Sequence, residues 1–202
     1  MILLYDTETT GLPFGKPHTA PDYPKIVQIA WVCLDHELKT IGVQQMLLDP
    51  GVSIPVQASN VHGITDELVQ MAGTHSKLGM RAFLWAASKA EIVVGHNVKF
   101  DDGMVAHECW RHGMFDTDTY RNFASSPRVD TMSRRLLRIP PGKSDRIKLE
   151  EAHKHVCDTP FEAHNALEDT LACLKLFKHA VQLGTIDIDK LREQSAAALE
   201  GA

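Results

Sequence analysis

Two carboxylates, Asp6 and Glu8, close the apolar run Met1-Ile2-Leu3-Leu4-Tyr5, and the turn residues Thr9-Thr10-Gly11 follow them. Such a run reads as a buried central strand. Strand side chains alternate, so Asp6 and Glu8 share a face and repel. A buried pair of like charges is costly unless a cation or a shared proton relieves it. The alternative is a polar loop whose acids sit in water. Downstream, Asp101 ends H-N-V-K-F-D, after the apolar residues 92–94. An Asp in a first helical turn also simply favours the helix dipole. His164 and Asp169 lie five apart in H-N-A-L-E-D. A histidine there reads either as a catalyst or as a solvated or capping residue. Val61-His62-Gly63-Ile64-Thr65 is a His-Gly turn leading into a helix.

Hydropathy periods predict the elements that must hold these groups. Residues 25–34 and 39–48 are apolar, β-branched runs joined by Asp35-His36-Glu37, an antiparallel pair after the opening strand. Residues 13–24 carry Pro13, Pro17, Pro21 and Pro24 and predict a loop. Residues 51–64 read as irregular. Thr65 is placed to cap a short helix over 66–71, and 77–89 has helical apolar spacing. Residues 91–95 predict a buried strand, and 99–112 a helix stopped by Gly113. A broken helix and loop over 113–127, a short strand over 128–130 and a helix over 131–137 follow, then Pro140-Pro141-Gly142. Helices over 148–156 and 165–183 complete the order. This predicts one α/β domain over 1–184, its mixed sheet antiparallel first and parallel later. Residues 185–202 read as a C-terminal tail, either a frayed helix or disordered.

With 202 residues, 44% apolar and 23% charged, the chain suits one soluble domain. Its net charge of −5 argues against nucleic-acid coating by bulk charge. Charge is uneven, however. Nine Lys or Arg face four Asp over residues 111–148. That segment is either a solvated face or a landing strip for a phosphate backbone. No run reaches membrane-spanning length and no leader pattern opens the chain. Cys33, Cys109, Cys157 and Cys173 form no C-x-x-C pair and read as reduced thiols. A cytoplasmic protein without a membrane partner is the expectation.

Four blocks, in order, resemble the DEDDh branch of the DnaQ-like 3′→5′ exonucleases: D-T-E-T-T-G-L (6–12), V-H-G-I-T (61–65), H-N-V-K-F-D (96–101) and H-N-A-L-E-D (164–169). R-V-D-T-M at 128–132 fits a weaker element. The resemblance spans about residues 1–182. It implies a ribonuclease H-like fold, a five-stranded mixed sheet flanked by helices. It also implies that Asp6, Glu8, Asp101 and Asp169 are metal-site carboxylates and His164 the general base. Thr9, Leu12, His62, Asn97 and Phe100 would line the pocket for the terminal nucleotide.

The implied cofactors are two divalent cations, Mg²⁺ or Mn²⁺, about 4 Å apart. Such hard ions want oxygen ligands, whereas cysteine suits other metals. In that assignment Asp6 bridges both ions, Glu8 and Asp169 hold the ion that activates water, and Asp101 supports the other. Histidine titrates near neutrality, which suits His164 to take the proton from that water. Phe100 and Leu12 offer apolar surface to a base of any sequence. The expected activity releases nucleoside monophosphates from single-stranded or frayed 3′ ends of DNA, with a polymerase or replication partner left open. The same chemistry on RNA or short oligoribonucleotides is an alternative, because pocket details read the 2′-OH. A catalytically silent nucleic-acid-binding module and a ribonuclease H-type endonuclease are others. The loop over 13–24 is longer and richer in proline than the family pattern. It reads as a pocket gate, a partner contact or a surface insertion.

Overall fold

The computed structural model describes residues 1–159, 161 and 163–200. Strands β1 (Ile2–Thr9), β2 (Ile26–Leu34) and β3 (Thr40–Asp49) form an antiparallel meander. Helices α1 (Val56–His62) and α2 (Asp66–Ala72), strand β4 (Thr74–His75) and helix α3 (Ser76–Ala87) follow. Then come β5 (Ile92–Gly95), α4 (Val98–Arg111), α5 (Asp118–Ser125), β6 (Arg128–Asp130), α6 (Leu149–Cys157), α7 (Ala166–Gln182) and α8 (Ile188–Glu200). The sheet order is β4-β3-β2-β1-β5-β6, with β5 parallel to β1 and β6 parallel to β5.

The alternation of β1 divides the core. Leu3 and Tyr5 face a layer built by α3, α4 and α5, with Phe83, Met104 and Phe123. Ile2 and Leu4 face the opposite layer, with Leu176 and Phe177 of α7. Every residue of β2 is buried, which explains its continuous apolar run.

Three expectations are corrected. The sheet has six strands, not five. The added β4 is two residues long and joins by backbone pairing to Leu48 and Asp49, too short for any hydropathy period. Residues 51–64 are not wholly irregular, because α1 forms there. It buries none of its residues, so it carries no amphipathic signal. The helix expected over 131–137 is absent; turns replace it. Its backbone is diverted: the Arg134 and Arg135 N–H groups donate to the Asp145 carbonyl and carboxylate, and Ile147 N–H donates to the Met132 carbonyl. A bridge between Ser133 and Arg146 holds this hairpin-like fold-back.

The basic segment is largely neutralised. Arg111, Arg121, Arg128, Arg134 and Arg135 pair with Glu108, Asp118, Asp102, Glu151 and Asp145. After Gly184, α8 forms over Ile188–Glu200, and its Ile188 and Leu191 pack on the α7-side core. The cysteines are free, and no described helix is long and apolar enough to cross a membrane.

Candidate active site

Strand parity builds the centre of the site. Asp6 and Glu8 project on the same face as Ile2 and Leu4, toward α7. Asp169 lies in the first turn of α7. One carboxylate oxygen from each of Asp6, Glu8 and Asp169 lies within 4.8 Å of the others, and all three residues are half-buried. Two glutamines that the sequence reading did not single out dock α7 here. Gln28 stands opposite Glu8 in the β1–β2 register, and its Oε1 accepts the Ala166 N–H at 2.9 Å. Gln45 Nε2 donates to Asn165 Oδ1, the side chain that caps α7. The signal for Gln28 was a lone amide in the apolar run of β2.

Asp101 stands apart from that trio. It is buried in the first turn of α4, on the other face of β1. Its Oδ1 accepts from Thr7 N–H at 3.1 Å and Thr7 Oγ1 at 2.7 Å. It is still close enough to act on Asp6 by charge.

The electrostatics are strained. Burial, then the charges of Asp101, Asp169 and Glu8, push the Asp6 carboxyl well above the usual range. Burial and Asp169 raise Glu8 to about 7. Burial lifts Asp169 to about 6, against the opposing pull of the His164 N–H and ring. Asp101 is also raised by burial, although the Thr7 hydrogen bonds oppose it. Among the described residues no Lys, Arg or His forms a salt bridge with any of the four. Asp169 Oδ1 is buried with no hydrogen-bond partner. A buried, unpaired carboxylate oxygen in an all-oxygen donor set fits a hard divalent cation.

His164 is exposed at the entrance to α7, with φ of 71°. Its backbone N–H donates to Asp169 Oδ2 at 3.2 Å, which ties this uncommon conformation to the acidic cluster.

A cleft of about 560 Å³ adjoins Glu8. Thr9, Leu12, His62 and Phe100 line it, together with Phe14, Gln57, Ala58 and Val61. The last three belong to α1; Val61 lies in the V-H-G-I-T block, whereas Gln57 and Ala58 were hidden by the helix's lack of a period. A β-bulge between Glu8 and Thr9 starts the turn that brings Gly11 and Leu12 to the cleft. His62 is the last residue of α1, and Gly63 ends the helix at φ 73°. His62 Nδ1 accepts the Ile64 N–H, so Nε2 carries the proton donated to the Thr9 carbonyl at 3.3 Å. Burial lowers its pKa and keeps that neutral tautomer. Asn97 is not part of the cleft wall. It occupies the left-handed region at φ 69°, its N–H donates to Asp130 Oδ1, and its Oδ1 accepts from Arg146 Nη2 at 2.8 Å. A larger open groove of about 720 Å³, between β6 and α8, contains none of the four carboxylates.

A family model, RNase T, described as exonuclease, matches residues 3–177. The chain belongs to the RNase T exonuclease family. Within that family the chain is DnaQ-like. Among relatives of this family, the DNA polymerase III subunit epsilon-like protein of Rhodobacter capsulatus is 32% identical over 179 residues, 87% of this chain and 23% of that protein. The DNA polymerase III PolC-type of Lacticaseibacillus paracasei is 27% identical over 168 residues, 80% of this chain and 10% of its own length. The chain thus spans a quarter or less of these two relatives. In fold it is similar to E. coli exonuclease I in complex with an oligonucleotide, with TM-score 0.69 and 21% identity over 95% of this chain and 42% of that one. Exonuclease X in complex with 5′-overhanging duplex DNA gives 0.64 and 22%, covering 96% and 99%. These likenesses establish the ribonuclease H-like fold of the family exonucleases.

Proposed function

We propose that this RNase T-family chain is a metal-dependent 3′→5′ exonuclease that removes nucleoside monophosphates from the 3′ end of single-stranded or frayed DNA. The observation that carries this reading is the convergence of Asp6, Glu8 and Asp169 within 4.8 Å, beside an apolar cleft. Asp6, Glu8 and Asp169 would hold divalent cations, Mg²⁺ or Mn²⁺, with Asp101 supporting from the α4 side. When bound, two such ions lower the pKa of attacking water and offset charge on the leaving 3′ oxygen.

The chain's own residues do the rest. The cleft takes the terminal nucleotide, with Phe100 and Leu12 against the base. Apolar contact of this kind tolerates any base. His62, fixed by Ile64 and Thr9, sets the cleft wall. His164 takes the proton from the attacking water, and its backbone link to Asp169 holds it over the acidic cluster. Thr7 fixes the rotamer of Asp101. The exonuclease I and exonuclease X neighbours were solved with DNA, which supports DNA as the substrate. The polymerase III relatives support a replication partner.

The test uses 5′-labelled single-stranded DNA and RNA of one sequence, with Mg²⁺, Mn²⁺ or EDTA and an Asp6→Ala control. A metal-dependent ladder shortening from the 3′ end of DNA is expected, absent in EDTA and in the variant. Cleavage of RNA alone would move the substrate to RNA. Cleavage of a closed circular strand would replace the exonuclease reading with an endonuclease.

A further inference from the structure

The basic segment over residues 111–148 includes cations without a carboxylate partner: Arg138 donates to the Leu183 carbonyl, and Arg146 is another. Five of the segment's nine cations meet carboxylates. Arg146 instead donates one N–H to the neutral amide oxygen of Asn97. Its side chain is exposed, and among the described residues no carboxylate lies in salt-bridge reach of it. A guanidinium has five donors, so the rest point at solvent.

Its position is fixed from two sides. Asn97 begins α4, whose first turn carries Phe100 and Asp101, and Asp130 pins its backbone. The neighbouring Ile147 is buried, and its carbonyl is hydrogen-bonded to His96 Nε2. The apolar cleft lies on the α1 side of the carboxylates, and Arg146 lies on the β5–β6 side. A strand with its 3′ nucleotide in the cleft and its scissile phosphate at the carboxylates brings its next phosphates toward that second side. Each of those phosphates carries a charge that an outward guanidinium offsets. Bidentate recognition of a phosphate oxygen pair suits arginine.

We propose that Arg146 is a phosphodiester-binding residue that grips the strand one or two nucleotides 5′ of the scissile bond, held in place by Asn97. This rests on the exonuclease reading for its substrate, and its test separates the two. Binding of a labelled ten-residue oligothymidylate is measured by anisotropy in Ca²⁺ over a salt series. Hydrolysis is measured on the same oligomer and on the p-nitrophenyl ester of thymidine 5′-monophosphate, which has no phosphate on that side.

Arg146→Ala is expected to weaken oligomer binding about tenfold and to reduce the log–log salt slope by about 0.7. The loss of kcat/KM on the oligomer should exceed that on the ester at least fivefold, mainly through KM. Arg146→Gln keeps a donor for Asn97 without the charge and should match Arg146→Ala, whereas Arg146→Lys should retain the slope. Equal losses on the two substrates, wild-type behaviour of Arg146→Gln, or no binding by the wild-type chain would overturn the assignment. Failure of the wild-type chain to hydrolyse either substrate with Mg²⁺ or Mn²⁺, with binding intact, would sink the exonuclease reading instead.

Discussion

Asp6 carries two opposed demands. It must be ionised to hold a cation, yet burial and three neighbouring carboxylates favour its neutral form. Removing the charge while keeping the shape, as in Asp6→Asn, should therefore abolish hydrolysis and stabilise the metal-free fold. In the folded chain Asp6 and Glu8 keep protons that the unfolded chain has already released, the Glu8 value standing at about 7. Their contribution is fully present below the ordinary carboxylate range and is lost as pH rises through the raised values. The variant is thus expected to melt above wild type in EDTA, by about 3–6 °C at pH 8, with a smaller gap at pH 5. Thermal melts at the two pH values decide this, and a gap that shrinks as pH rises would refute it. Adding Mg²⁺ at pH 8 should raise the wild-type Tm and leave the variant nearly unmoved. His164→Ala should lower kcat near neutral pH by about 10²-fold or more; ordinary single-turnover rates would remove His164 from proton transfer.

The start of α7 is the element on which the site depends. Asn165 caps it by accepting from Leu167 N–H and Glu168 N–H, and Gln28 anchors its first turn to β2. His164 and Asp169 flank that cap. Asn165→Ala should cost about 1 kcal/mol, a fall in Tm of about 2–4 °C. It should also reduce kcat/KM well below the melting range, because the loop carrying His164 loses its support. Full activity with the lower Tm would confine Asn165 to stability. The same element explains a limit of sequence reading. A His-x₄-Asp spacing is visible in the chain, but the left-handed φ of His164 follows from the closure of that loop on Asp169.

Across the whole molecule, two apolar layers clamp the sheet, and α8 belongs to one of them. Ile186 is buried, and Ile188 and Leu191 pack on the α7 side. Arg192 approaches Glu91 at 3.5 Å, linking α8 to the segment before β5. A chain ending at Gly184 should stay folded but melt at least about 5 °C lower, since each fully buried aliphatic side chain is worth about 1.5–3 kcal/mol. Its hydrolysis at 25 °C should persist, because the carboxylates lie outside the α8 groove. An unchanged Tm would make α8 a passive appendage.

Local patterns in the chain were enough for the strands with long apolar runs, the cap at Thr65, and the shared face of Asp6 and Glu8. Those features are local: a period of two, and a side-chain oxygen three residues from an N–H. The four motif blocks were legible for the same reason, being contiguous. Tertiary structure alone decided which face each helix meets. Asp169 joins the strand's even face through α7, whereas Asp101 reaches the odd face through α4 and settles on Thr7. It also decided where α1, which buries none of its residues, would stand, how a two-residue β4 extends the sheet, and why residues 131–137 turn instead of coiling. At residues 131–137, at β4 and at the start of α7, the long-range partners Asp145, Leu48 and Gln28 satisfy backbone groups that local periodicity assigns elsewhere.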